Sequence, residues 1–350
     1  MNNNKKKKKM PKRKRQAVKV IGLFVLIILI LVLSVVAFAM SKLTKLDRIS
    51  IGKRDVEIND MPEETKKSMK GYTTLALFGL DNRSNGSFQS GNSDTIIVAS
   101  INNDTGEIRM ASVYRDTFLD IGEGSFNKAN AAYNQGGPKK AINMLNRNLD
   151  LNITDYVSVD FNAVVKAVDA VGGIEMEVTG EEAKYINGYI EEVAEVTGTN
   201  SNYVSAGNQT LDGVQATAYA RIRYTSGADF KRTERQRTVI TKVFEKAKQA
   251  DLLTLNSILD TLLPEISTSL SVTEMLGLAK DVGKYNMGEN TGFPFERQTA
   301  HIGSITYAEV AVDFEANVTQ LHNFLYGNEG YTPSGTVKEL SEAMRNQAGF

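Results

Sequence analysis

The sequence predicts an α/β protein: a three-layer α/β/α sandwich with a central mixed sheet, preceded by a single N-terminal transmembrane helix. Three observations carry that expectation. Val20–Met40 is an uninterrupted run of 21 residues without a charge, long enough to cross a bilayer as a helix. After it, short apolar runs of strand character alternate with stretches of helical period, the pattern of helices packed on a sheet. The stretch Arg221–Gln236 then gathers Arg221, Arg223, Lys231, Arg232 and Arg235 around two acids, Asp229 and Glu234.

Charge fixes the order of the segments. The 350 residues hold 41 Lys and Arg against 41 Asp and Glu. Ten of the basic residues and none of the acids lie in residues 1–20, leaving 31 basic against 41 acidic groups beyond them, a formal −10. The positive-inside rule makes residues 1–19 a cytoplasmic tail and 20–40 a signal anchor, with everything after residue 41 outside the cell. Residues 41–70 read as an extracytoplasmic stalk, 71–330 as the catalytic domain and 331–350 as a flexible tail. An acidic body with one basic locus argues against a nucleic-acid binder. Cysteine is absent, which excludes disulfides, thiolate metal sites and cysteine nucleophiles.

Within the domain, Thr73–Gly79 reads as a buried strand, followed by Asp81 and Arg83 in a loop rich in Gly, Ser and Asn. Asp94 opens a second strand, Thr95–Ile101, and Glu107–Val113 returns as a third that ends in Tyr114, Arg115 and Asp116. Paired as an antiparallel hairpin, these strands put Asp94 and Arg115 at one end of the sheet, where α/β folds place ligands. Asn127–Gln135 and Pro138–Leu149 are expected helices, Pro138 suiting a helix start. Ile153–Asp160 is an expected strand, Phe161–Val171 a helix closed by Gly172 and Gly173, and Ile174–Val178 another strand. Residues 181–197 form a charged helix with Tyr185, Ile186, Tyr189, Ile190 and Val193 along one side, a lid or substrate-facing insertion. Asp212 caps a helix over Val214–Tyr219. Further helices are expected over about 232–249, 252–263 and 272–284.

On the arginine helix, Arg232, Arg235 and Gln236 share the face that Val239 and Val243 continue. Cations aimed inward need anions, because a buried unpaired guanidinium is costly. Two arrangements satisfy them: an internal salt-bridge network with Asp229 and other acids, or a pocket for phosphate or pyrophosphate gripped through paired donors. Asp81 and Asp94, facing Arg83, Arg115, Arg221, Arg223 and Arg232, favour the pocket. Carboxylates hold a divalent cation such as Mg²⁺, the cation bridges phosphate oxygens, and arginines neutralise the remaining charge. There is no Walker A loop, nucleophile elbow or zinc-binding helix motif. His301 and His322 lie outside every motif, so neither is expected to act in catalysis.

The ordered series D-N-R (Asp81 to Arg83), N-S-D-T (Asn92 to Thr95), R-D-T (Arg115 to Thr117), L-D-G-x-Q-A (Leu211 to Ala216), R-I-R (Arg221 to Arg223) and D-F-K-R-x-x-R-Q (Asp229 to Gln236) resembles the LytR-CpsA-Psr family. The likeness runs from about residue 73 to 250 and extends to the short basic tail and single anchor. Two positions depart from the family pattern: Tyr114 stands where Pro is usual, and Asn92 where Arg or Lys is usual.

The resemblance implies a membrane-anchored phosphotransferase of a Gram-positive envelope. Such an enzyme moves a glycan-phosphate from a polyprenyl-pyrophosphate carrier onto peptidoglycan, as in attachment of teichoic acid or a capsule-type polymer. By motif position, Asp81 and Asp94 would hold Mg²⁺ (or Mn²⁺). Arg83, Arg115, Arg221, Arg223, Arg232 and Gln236 would hold the pyrophosphate, Asp229 would orient Arg232, and Asp116 would serve a structural or base role. Two rival readings share these residues: a pyrophosphatase with water as acceptor, and a non-enzymatic envelope regulator. The cytoplasmic segment expected, about 19 residues, is too short for a DNA-binding domain and disfavours the regulator.

Overall fold

The strands, in chain order, are β1 (Asp47–Arg48), β2 (Tyr72–Leu80), β3 (Ser93–Asn102), β4 (Glu107–Val113), β5 (Phe118–Asp120), β6 (Phe126–Lys128), β7 (Asp155–Val159), β8 (Ile174–Val178), β9 (Gly207–Leu211), β10 (Ile266–Thr268), β11 (Asn286–Phe293), β12 (Arg297–Ile302) and β13 (Ile305–Ala311). Seven of them form one mixed sheet in the order β1-β10-β7-β2-β3-β4-β11. The helices are α1 (Glu63–Met69), α2 (Asn130–Leu149), α3 (Phe161–Ala170), α4 (Gly180–Thr197), α5 (Gly213–Arg221), α6 (Ala228–Gln249), α7 (Leu252–Leu262), α8 (Val272–Lys280), α9 (Phe314–Tyr326) and α10 (Gly335–Ala348). This computed structural model describes residues 47–48, 51–52, 55–80, 88–223 and 228–349. The expected cytoplasmic tail and anchor, Asp81, Arg83 and the side chain of Asp229 lie outside the described residues. No helix among the described residues is long and apolar enough to cross a membrane.

The continuous apolar character of β2 and β3 reflects burial on both faces of the sheet. On one face, Phe78, Leu80, Ile96 and Val98 pack with α2, α9 and α10 in the main core. On the other, Leu77, Ile97, Ala99 and Met110 meet Ile240 of α6. These are the three expected layers. The strand Ile174–Val178, however, does not extend the central sheet. It pairs with β9 as a separate antiparallel ribbon and joins α3, α4, α5 and Val239 of α6 in a second apolar cluster. Gly172 and Gly173, both at positive φ, turn the chain sharply out of α3. A side chain at Gly173 would meet the Leu211 carbonyl at 2.8 Å.

The two helices expected over 127–149 are the two arms of α2, separated by the non-helical Gly136 and Gly137 (φ 64°) just before Pro138, the first arm beginning at Asn130. Two sequence expectations change. The stalk is folded at its C-terminal half, where Val56, Met61 and Met69 are buried in the main core. The expected flexible tail contains α10, with Val337, Leu340 and Met344 buried. Their i, i+3, i+7 spacing is helical, and polar composition around it masked the signal. Asp150 ties these additions together: it accepts from Tyr331 Oη (2.6 Å), Ser334 N (2.8 Å), Ser334 Oγ (2.7 Å) and Asn59 Nδ2 (2.7 Å).

His322 belongs to this structural set, in keeping with its place outside the motifs. It is fully buried, its Nε2 donates to the Leu149 carbonyl at 2.9 Å, and its ring stacks on Tyr331 at 3.8 Å. Burial lowers its pKa from 6.5 to about 4. A histidine depressed in the folded state contributes stability above pH 6.5 that is lost as pH falls toward 4, on the order of 3 kcal/mol. Urea unfolding of wild type and His322→Gln across this range checks it. The variant is expected to be less stable at neutral pH, with the gap closing by about that amount at pH 4. A gap independent of pH would show that the ring does not titrate with unfolding.

Candidate active site

The local geometry starts with a β-bulge. Gly79 pairs with Thr95 and Leu80 with Ser93, so Asp94 is the extra residue between them. A bulge bends the strand and re-aims the side chain it carries. Gly79 admits this arrangement because a Cβ there would lie 2.8 Å from Thr95 Cβ. On the other side, Ile97 pairs with Ser112, a register that brings Arg115 opposite Asp94. Arg115 Nη1 donates to both carboxylate oxygens of Asp94, at 3.0 and 3.1 Å.

Two more arginines arrive from the second cluster. Arg223 Nη2 donates to Asp94 Oδ2 at 2.9 Å. Arg232, 2% exposed, donates through Nη2 to the main-chain oxygen of Asp94 at 3.0 Å and holds Nη1 3.8 Å from Oδ2. Its helix is locked to the sheet by Arg237, which donates to Ser112 Oγ at 2.6 Å and Asn290 Oδ1 at 2.7 Å. Burial lowers the pKa of Arg237. Asp116 accepts from Arg115 Nε at 3.3 Å and pairs with Lys128 at 2.8 Å. That arrangement orients Arg115. Arg221 pairs with Glu192 at 2.9 Å and lies over the rings of Phe161 and Tyr189. Arg235 pairs with Glu182 at 3.2 Å. Both sequence readings of the arginine stretch therefore have a place: Arg235 belongs to an internal ion pair, Arg221 has an acid partner at the site's edge, and Arg223 and Arg232 converge on Asp94.

Beneath these charges lies a cavity of about 400 Å³. Its floor is the sheet face of Leu77, Gly79, Ile97, Val157 and Val159, and its roof is Val164, Tyr189, Ala220, Val239 and Ile240. Asp94, Arg221, Arg223, Arg232 and Gln236 supply most of the polar lining. Among the described residues, Arg221 Nη1 and Gln236 Oε1 are buried there without a hydrogen-bond partner, so a polar ligand group would meet atoms already desolvated. Asp160 lines the same cavity and caps α3 through Ala163 N at 3.0 Å. Burial raises its pKa.

The chain matches the LytR_cpsA_psr family model over residues 35–321. The chain belongs to that family. Among LytR_cpsA_psr relatives, it is 33% identical over 233 residues to the polyisoprenyl-teichoic acid–peptidoglycan teichoic acid transferase TagU of Enterococcus faecalis, covering 63% of this chain and 70% of that one. A solved structure of an Enterococcus faecalis protein called a transcriptional regulator superposes with TM-score 0.60 at 26% identity, over 81% of this chain and 97% of that one. TagT bound to LI-WTA superposes with TM-score 0.57 at 18% identity, over 86% and 100% of the two chains, a likeness of fold.

Tyr114 and Asn92, the departures from the family pattern, are accommodated differently. The Tyr114 ring packs edge-on to Phe230 at 4.7 Å, under Arg297 at 4.8 Å. It fits because Gly292 has no Cβ, which would fall within the space of the Tyr114 hydroxyl. Asn92 instead accepts from Asn134 Nδ2 at 3.1 Å on the exposed rim.

Of the residues singled out by sequence, the structure gathers Asp94, Arg115, Asp116, Arg221, Arg223, Arg232 and Gln236 at one sheet end. Asp81 directly follows β2 but, like Arg83 and the Asp229 side chain, is outside the described residues. Lys128, Phe161, Glu192 and Asp160 were not singled out. Only Asp160 carried a local signal, as the residue between a strand and an amphipathic helix.

The donor set around Asp94 bears on Mg²⁺. Arg115 and Arg223 use three of the roughly four lone-pair positions of its carboxylate. One position on Oδ1 remains. No group of three or more potential metal-ligating side chains occurs among the described residues. That one position suits only a cation that keeps most of its waters and draws its other oxygens from a phosphate.

Asp94 also acts as counter-ion to the arginines. Asp94→Asn is expected to lower stability by about 2 kcal/mol, because it leaves neighbouring guanidiniums without their shared anion. Millimolar inorganic pyrophosphate is expected to raise the melting temperature of this variant more than that of wild type, by taking the anion's place. Thermal melts with and without pyrophosphate measure both effects. Equal pyrophosphate shifts would exclude the cluster as an anion grip.

Proposed function

We propose that the protein is a membrane-anchored phosphotransferase that moves a glycan-phosphate from a polyprenyl-pyrophosphate carrier onto peptidoglycan. The observation that carries this reading is the apolar cavity of about 400 Å³ that opens at Arg221, Arg223 and Arg232. An isoprenoid chain suits the apolar walls and a pyrophosphate suits the arginine mouth. The names of TagU and TagT's ligand support the same substrate class. The anchor at residues 20–40 supports it as well, since tethering to the membrane raises the effective concentration of a lipid-borne substrate. This reading places the catalytic domain outside the cell.

Arg115, Arg223 and Arg232 bind the pyrophosphate and stabilise the charge that develops on the transferring phosphoryl group. Asp116 and Lys128 hold Arg115 in position, and Arg237 fixes the helix that carries Arg232 and Gln236. Asp81 and Asp94 would hold Mg²⁺, which when bound would neutralise phosphate charge and align the leaving group.

Arg115→Lys and Arg223→Lys each keep the charge and lose the planar pair of donors. Each is expected to slow glycan-phosphate transfer about a hundredfold, while the melting temperature stays near wild type. Transfer assays paired with thermal melts separate the cases. A large drop in melting temperature with wild-type turnover of the folded fraction would make the cluster a scaffold.

A further inference from the structure

One arginine of the site is held unlike the others. Arg115, Arg223 and Arg232 all donate to Asp94. Arg221 instead donates through Nη2 to Glu192 at 2.9 Å. Its guanidinium carbon lies over two rings, 4.8 Å from the centre of Phe161 and 5.1 Å from that of Tyr189. Among the described residues, its Nη1 is buried with no hydrogen-bond partner.

Three helices build this arrangement. Arg221 is the last residue of α5, and Phe161 is the first of α3, whose start is fixed by the Asp160 cap on Ala163 N. Tyr189 and Glu192 stand three residues apart on α4, the spacing that puts two side chains on one helix face. One meets the guanidinium with a ring and the other with a carboxylate. The two kinds of contact differ in what they consume. A carboxylate takes up N–H donors, whereas a ring face attracts the cation through its π cloud and leaves the donors at the guanidinium edge free. A rim ion pair would keep its spare N–H groups in water, but the Arg221 side chain is only 16% exposed. Its Nη1 donors are therefore desolvated with nothing gained in return until a ligand acceptor arrives. The same two rings line the cavity beside Val164 and Ala220.

We propose that Phe161 and Tyr189 are positioning residues for phosphate binding, fixing the plane of the Arg221 guanidinium and leaving Nη1 to donate to a phosphate oxygen. This rests on the anion-binding mouth of the function proposed above. Glu192 holds the other terminal nitrogen, so the group is fixed in rotation as well as in tilt. Rings that line the apolar half of the cavity thereby act on its phosphate half, and a change at either is felt by an anion that touches neither.

Inorganic pyrophosphate is the probe, because it has no lipid tail to contact the rings. Full-length protein is titrated with it calorimetrically, affinities are taken per folded molecule, and melting temperatures are recorded alongside. Phe161→Leu and Tyr189→Leu keep apolar bulk and lose the ring face. Each is expected to weaken pyrophosphate binding about tenfold, and Tyr189→Phe, which keeps the ring, is expected to restore it. In an Arg221→Ala background, neither Leu substitution is expected to weaken binding further. Unchanged affinity in both Leu variants overturns the proposal, since the rings then only line the cavity. A loss that persists without Arg221 also overturns it, because the rings then act through another group. A wild-type protein that binds no pyrophosphate removes the anion-binding mouth itself and this inference with it, whereas wild-type binding with unaffected Leu variants removes the inference alone.

Discussion

The sharing of one carboxylate by three arginines is the constraint on which the site depends. Arg115 comes from the end of β4, Arg223 from the segment after α5 and Arg232 from α6, and all three donate to Asp94. Like charges this close repel unless an anion lies among them. Asp94 supplies that anion in the folded protein, and the bulge in β3 places it there. The main sheet and the α3–α5 cluster are thereby joined at a polar point, although their apolar cores are separate.

The gap between those two layers has its own energetics. At the cost per unit volume measured for emptied cores, an apolar cavity of about 400 Å³ would destabilise by about 10 kcal/mol. That is comparable with the whole stability of an ordinary domain. A packing fault of this size would not persist in a folded chain. The cavity is instead open at the arginine mouth, and the Arg235–Glu182 and Arg221–Glu192 pairs tie together the helices beside it. Its shape is set by the elements that surround it, with α6 serving both layers.

Much of this was legible in the sequence. Strand and helix alternation predicts the three layers, and the hairpin of β3 and β4 puts Asp94 beside Arg115 on sequence spacing alone. The inward direction of Arg232 followed from its phase with Val239. Long-range pairing was not legible. Nothing local in Ile174–Val178 distinguishes a strand of the central sheet from one arm of a ribbon, because both alternate in the same way. The C-terminal helix was hidden because three buried residues spaced along a polar stretch look like scattered apolar residues until Asp150 and His322 are seen beneath them. Glu192 and Glu182 were likewise invisible as partners, since an acid on a charged helix gives no sign of which residue it faces.

Tyr114 shows how a departure from a family pattern is absorbed. Proline at that position would restrict the backbone leading into Arg115, whereas tyrosine leaves it a freer φ. The restraint comes instead from packing: the ring lies against both Phe230 and Arg297, which also stack on each other at 3.5 Å, and Tyr114 N donates to the Phe293 carbonyl at 3.0 Å. Phe230 lies on α6 two residues before Arg232, and Arg297 begins the β12–β13 hairpin. The hairpin is itself tied to the site segment by Glu309 N donating to the Asp116 carbonyl at 2.8 Å. Rigidity at Arg115, which a proline would supply within one residue, is here spread over three elements. Gly292 is the necessary counterpart, because any side chain there would occupy the space of the tyrosine hydroxyl. The two positions are therefore coupled: restoring proline at 114 would leave an unfilled space beside Gly292, and a side chain at 292 would displace the ring that steadies Arg115.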